Sequence, residues 1–144
     1  MSLQKRETSP LCGEVYLVKF AGSGSTQRGL RPAVVFQNNT GNRYSPNVTV
    51  LPMTSSVKKM RQDTHVFLPA GNTGLLRDSM VLCENPVCIP KEDLGDYITI
   101  LSPVYMGMIA RASILASSAV SFLDPEQIDG IIKRAMELNA SIRS

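Results

Sequence analysis

The cationic side chains most able to do chemistry fall in one stretch. Between residues 21 and 64 stand Arg28, Arg31, Arg43, Lys58, Lys59 and Arg61, against a single acid, Asp63. The whole chain carries 15 lysines and arginines and 12 acids, so the remaining acids lie elsewhere. Such a cluster is the electrostatic footprint of a phosphate backbone. A solvated loop set whose charges scatter on folding gives the same pattern, and charge alone does not separate the two. Gln27, Gln37, Asn38, Asn39, Asn42 and Tyr44 share the stretch. Amides read base edges and a tyrosine stacks on a splayed base. Asn39 and Asn42 read better as turn residues.

Other chemistries find less support. The cysteines are Cys12, Cys83 and Cys88, an odd number without a disulfide framework. His65 is the single histidine, so a zinc ligand set is not expected; no metal and no cofactor are implied. Buried, reduced thiols are the plain reading. Residues 1–9 are polar and expected to fray. The longest apolar stretch, residues 103–123, is broken by Arg111 and several serines. The expectation is a soluble, cytoplasmic protein of one domain over residues 1–144, with no membrane partner.

Short strands must position these residues. Residues 14–20 (EVYLVKF), 32–37 (PAVVFQ), 48–53 (VTVLPM), 65–68 (HVFL) and 79–84 (SMVLCE) are apolar, β-branched or aromatic runs. Pro32 is read as opening the second. Residues 21–31, 38–47 and 54–63 are read as three long loops. Five short strands with such loops suggest a small, curled, SH3-like barrel. If the barrel gathers the three loops at one rim, that rim is a cationic groove.

Beyond residue 91 the pattern turns helical. KEDLGDYITILS predicts a helical turn and a short strand. Residues 103–123 carry two apolar stripes, Met106-Ile109-Ala116-Val120-Leu123 and Met108-Ala112-Leu115-Ala119-Phe122. Both predict burial, one against the barrel and one against another subunit or the tail. Asp124, Pro125 and Gln127 start a further helix with a cap, a first-turn proline and a capping box. Ile128, Ile131, Ile132, Ala135 and Leu138 then share a face, and this helix ends near Asn139.

Several segments resemble the MazF/PemK toxins of type II toxin–antitoxin pairs. Gly13-Glu14-Val15-Tyr16 is similar to their first strand. Gly24-Ser25-x-Gln27-x-Gly29-Leu30-Arg31-Pro32-Ala33-Val34-Val35 resembles their loop-and-strand signature. Gln37-Asn38-x-x-Gly41-Asn42-Arg43-Tyr44-Ser45-Pro46, Pro52-x-Thr54-Ser55 and Gly74-Leu75 through Arg77-Asp78-Ser79-x-Val81 follow in family order. The likeness spans residues 13–123, and residues 124–144 form an additional C-terminal helix. The resemblance implies a mainly β fold, an SH3-like barrel of the CcdB/MazF/Kid type with C-terminal helices, working as a homodimer. It implies metal-independent, sequence-specific cleavage of single-stranded RNA to a 2′,3′-cyclic phosphate and a 5′-hydroxyl. A MazE-like antitoxin would lay a disordered segment in the RNA groove, and the toxin–antitoxin complex would sit on operator DNA.

Cutting RNA with its own 2′-hydroxyl needs a proton acceptor, a stabiliser of the phosphorane and help for the leaving 5′-oxygen. Arg31 matches the family's catalytic arginine; its guanidinium is a rigid fork suited to phosphate. Thr54 matches the catalytic threonine, whose hydroxyl can hold a phosphate oxygen. Glu84 aligns with an acid that some members use as base, and a dry strand end would raise its pKa. His65 falls on a strand that is structural in the family, so a packing or edge role is expected. Ser25, Gln27, Arg28, Gln37, Asn38, Arg43, Tyr44, Ser55, Lys58 and Lys59 are the matching candidates for RNA contact.

The sequence departs from the family at Thr26, where a glutamate is usual, at Leu82, where one branch has a second arginine, and at Val87-Cys88-Ile89-Pro90. These departures bear on the base and on the sequence cut. Two other readings stay open. One is a CcdB-like gyrase-inhibiting toxin, though the C-terminus lacks the aromatic and acidic end such toxins use. The other is a barrel that binds RNA without cutting it.

Overall fold

A computed structural model describes residues 9–21, 28–56 and 62–140. Seven strands form one curled antiparallel sheet: β1 (Glu14–Ala21), β2 (Arg28–Val35), β3 (Asn47–Thr54), β4 (His65–Leu68), β5 (Ser79–Leu82), β6 (Val87–Pro90) and β7 (Leu94–Ile100). The strand order is β4-β5-β3-β2-β1-β7, with β6 paired to β3 as well. The curl is visible in β3. Its first half, Asn47 to Val50, pairs β6, while Met53 and Thr54 pair β5. One strand thus serves two sheet segments. The mainly β fold with C-terminal helices expected from the sequence is the fold observed.

Strand alternation sorts the core into two layers, because successive side chains face opposite ways. Val15, Val34, Leu51 and Met53 join Val66, Leu68 and Val81, and with them Ile109 and Ala112 of α2 (Pro103–Ala116). Their neighbours Tyr16, Ala33, Val35, Val48 and Val50 form the other layer with Ile89 and Leu94. Buried Glu14 fixes the chain's entry: one carboxylate oxygen accepts from the Tyr16 hydroxyl at 2.7 Å and from the Leu11 N–H at 2.8 Å.

Several expected boundaries move. β2 begins at Arg28, so Arg31 and Pro32 lie inside the strand and not in a loop or at its opening. A proline keeps a strand's φ and removes one donor, and β1 still pairs alongside, Leu17 opposite Pro32. The loop expected at 38–47 contains a short helix, α1 (Asn39–Tyr44). Asn38 caps it by accepting from the Gly41 N–H at 2.8 Å, and the same residue types signal turns and helix starts. β6 had no forecast. β5 stops at Leu82, short of Glu84. Cys83 is buried, but Cys88 is exposed on β6 and corrects the reading of three buried thiols.

The C-terminal region departs most. α2 ends at Ala116, and a 3-10 turn, Ala119–Phe122, follows. Only Ile109 and Ala112 of α2 are buried. Ala112 of the second stripe is buried beside Ile109 of the first, while Met108, Leu115 and Phe122 of the second and Val120 and Leu123 of the first are exposed, so neither stripe is covered along its length among the described residues. Asp124 caps the next turn by accepting from the Glu126 N–H at 3.0 Å, and that turn is 3-10. α3 (Ile128–Ala140) then runs on to α1. There Asn39 Nδ2 donates to the Asn139 carbonyl at 3.3 Å and the Thr40 hydroxyl to the Leu138 carbonyl at 2.5 Å, satisfying carbonyls a helix end leaves open, and the Asn39 N–H donates to Asn139 Oδ1 at 3.0 Å. No helix among the described residues is long and apolar enough to cross a membrane.

Candidate functional site

The β2–β3 register builds the site. Ala33 pairs with Pro52 and Val34 with Leu51. Arg31 is two residues before Ala33 and Thr54 two after Pro52. Carried outward, the register sets Arg31 against Thr54 on the same side of the pleat. Both line one open pocket of about 820 Å³. Ser55, Ser56, Arg77 and Ser79 complete its polar lining, and Leu17, Leu30, Leu76, Tyr97 and Ile98 form an apolar wall.

Thr54 Oγ1 accepts from the Ser56 N–H at 3.1 Å, which leaves its hydroxyl proton available to donate. Arg31 is half-buried, and Arg77 is exposed. Among the described residues neither guanidinium has a hydrogen-bond or ion-pair partner. Asp78, beside Arg77, accepts instead from the Ala70 N–H at 2.8 Å. Two unneutralised forks beside hydroxyls and an apolar wall suit an anionic group bonded to a flat organic one. Among the described residues no carboxylate and no histidine lines the pocket. Among the described residues no cluster of three metal-ligating side chains occurs.

The other candidates distribute unevenly. Ser55 lines the pocket with Arg31 and Thr54. Ser25, Gln27, Lys58 and Lys59 lie outside the described residues, and Arg28 is described only as the first residue of β2. Gln37 is engaged in its own loop. Its Nε2 donates to Asn42 Oδ1 at 3.2 Å and to the Asn47 carbonyl at 3.3 Å, while its Oε1 accepts from the Thr49 N–H. Asn38 is the α1 cap. Arg43 and Tyr44 are exposed on α1, with the guanidinium 5.5 Å from the ring centre. They stand at the opposite end of β2 and β3 from Arg31 and Thr54. Antiparallel strands alternate their ends, so the β2–β3 connection cannot share a rim with the β1–β2 and β3–β4 connections of the same chain.

Glu84 is not brought to the pocket. Just past β5, its Oε2 accepts from His65 Nε2 at 2.9 Å. Burial pushes the carboxyl up, but hydrogen bonds from its own backbone N–H and from His65 outweigh that and hold it below its usual value. The direction is opposite to the rise expected at a dry strand end. His65 takes the edge position read for it, on β4, with Nδ1 buried and unpartnered. Cys83 is pushed up to about 11 by burial, which makes it an inert packing thiol. The sequence reading assigns no site role to Arg77, Ser56, Leu30, Leu76 or Tyr97, which also line the pocket. Arg77 stood in a matched segment, but nothing in its spacing tied it to Arg31.

The profile described as PemK-like, MazF-like toxin of type II toxin–antitoxin system matches residues 11–116. Endoribonuclease EndoA of Bacillus subtilis is 36% identical over 111 residues, covering 76% of this chain and 96% of that protein. Endoribonuclease MazF of Staphylococcus saprophyticus is 38% identical over 101 residues, covering 69% and 84%. Among solved structures, an endoribonuclease in complex with its cognate antitoxin, from a mycobacterial species, superposes with a TM-score of 0.64 at 25% identity. It covers 81% of this chain and all of that one.

Proposed function

The chain belongs to the PemK-like, MazF-like toxin family of type II toxin–antitoxin systems, and on that premise we propose that it is an endoribonuclease whose chemistry rests on Arg31 and Thr54. The observation that carries this reading is the placement on one pocket of the Arg31 guanidinium, without a partner among the described residues, and the Thr54 hydroxyl.

The ribose 2′-oxygen attacks the adjacent phosphorus. A P–O2′ bond forms, the P–O5′ bond breaks, and a 2′,3′-cyclic phosphate and a 5′-hydroxyl result. Charge builds on the non-bridging oxygens, where Arg31 supplies fixed positive charge and Thr54 a hydrogen bond. The described lining holds no general base or acid, so the 2′-proton passes to solvent, solvent protonates the leaving 5′-oxygen, and the main work of the site is phosphorane stabilisation. The apolar wall receives a base next to the scissile phosphate, which gives sequence preference. No protein group in this scheme needs a metal ion.

The homodimer, an antitoxin segment lying along the pocket and operator DNA bound by the toxin–antitoxin complex belong to the same reading. The relative solved with its cognate antitoxin supports the second. The test is cleavage of mixed-sequence single-stranded RNA in excess chelator. Discrete cuts ending in cyclic phosphate support the reading. RNA bound but uncut would leave the non-cleaving barrel, and neither binding nor cutting would favour a protein-targeting toxin.

A further inference from the structure

We propose that Arg77 is a substrate-positioning residue that holds a phosphate next to the scissile one. The inference rests on the endoribonuclease reading and adds a group to it. In the sheet β3 lies between β2 and β5. Arg31 enters the pocket from β2, and Arg77 from the chain just before β5. The two guanidiniums therefore flank the Thr54-Ser55-Ser56 segment from opposite sides. Their backbones stand about two strand spacings apart, roughly 10 Å. Two forks mounted that way address successive phosphates of one extended strand, since Arg31 and Thr54 already take the scissile group.

Arg77 is built into place. Buried Ser79 donates through Oγ to the Arg77 carbonyl at 3.0 Å, and Asp78 is committed to the Ala70 N–H. The guanidinium is thus free of the acid next to it in sequence, on a backbone held from both sides. Among the described residues the pocket it lines offers it no carboxylate.

The experiment uses the full chain and a mixed-sequence single-stranded RNA with every 2′-hydroxyl O-methylated, so that binding is read without cleavage. Each phosphate contact with a single strand contributes about 0.7 to the slope of log affinity against log salt. Arg77→Ala should flatten that slope by about 0.7 and weaken binding about tenfold at moderate salt. Arg77→Lys should keep the slope while recovering only part of the affinity. Arg111→Ala, which removes one charge on α2, should leave the slope unchanged. On cleavable RNA, Arg77→Ala should raise KM and leave kcat within about threefold. A folded Arg77→Ala with wild-type slope and affinity overturns the assignment. So does a variant that loses kcat at unchanged KM. An Arg77-dependent slope in a protein that cuts nothing would keep this inference and overturn the endoribonuclease reading.

Discussion

Arg31 in β2 and Thr54 at the end of β3 face each other in the register that pairs Ala33 with Pro52, and both open onto the same pocket. An arginine and a threonine 23 positions apart in the sequence thereby become one site. The pairing needs no loop to close around it, because the strand backbone and the core beneath Val34, Leu51 and Met53 hold both Cα positions. A site mounted on strands is more rigid than one mounted on loops.

Thr54 separates a hydrogen bond to phosphate from simple occupancy. Thr54→Val keeps the shape and loses the hydroxyl; Thr54→Ser keeps the hydroxyl. We expect kcat to fall about 100-fold or more in the first, in line with removal of one donor to a developing oxyanion, and less than tenfold in the second. Single-turnover cleavage measures both. Equal loss in the two variants would place Thr54 in packing.

Glu84 is held below the usual carboxylate value, so the sign of its effect on stability is fixed. The ionised form is favoured more in the folded chain than in the unfolded one. Its contribution is full above the unfolded value near 4.5 and fades as pH falls through the lower folded value. Glu84→Gln should lower stability at pH 7 and flatten the loss of stability on acidification below pH 4.5, read by thermal melts across pH. Because Glu84 faces His65 and not the pocket, cleavage by Glu84→Gln should stay within about tenfold of wild type. A loss comparable with that of an Arg31 variant would return Glu84 to the chemistry.

The contrast between Arg31 and Glu84 shows what the sequence could carry. Arg31, Pro32 and the apolar run after them are local: β-branched residues name the strand and the motif names the cation. Glu84's role depends on β4 pairing β5, with His65 opposite Leu82, a contact between segments that sequence periodicity does not link. β6 was invisible for a related reason. Val87–Pro90 is short, flanked by Pro86 and half exposed, so it lacks alternation and exists only because β3 offers an edge. α1 was hidden because Asn38 signals a turn and a cap alike. Arg77 resembled any exposed arginine until β5 set it beside Thr54. The two apolar stripes expected over residues 103–123 assume one continuous helix; α2 stops at Ala116 and Ala119–Phe122 form a separate turn, a break that apolar spacing alone does not report.

Gly74 couples the loop that carries Arg77 to β7. Its φ is +81°, and an added Cβ would run into the Thr99 side chain, whose Cβ would be 2.9 Å away. Gly74→Ala should therefore destabilise by about 1–3 kcal/mol and displace the Leu75–Arg77 segment. Thermal melts should show the loss, and KM for RNA should rise more than kcat falls. Unchanged melting would mean that the loop yields without strain.

The central claim is that Arg31 does the chemistry of RNA cleavage. The measurement is the mapping of RNA ends after incubating a long mixed-sequence single strand with wild type and with Arg31→Ala, both in excess chelator. Arg31 is half-buried and has no partner among the described residues, so its truncation should leave the melting temperature nearly unchanged. The account predicts discrete wild-type cuts with cyclic-phosphate ends and at least a 100-fold loss of rate in the variant. A folded Arg31→Ala protein cutting at the wild-type rate would contradict it.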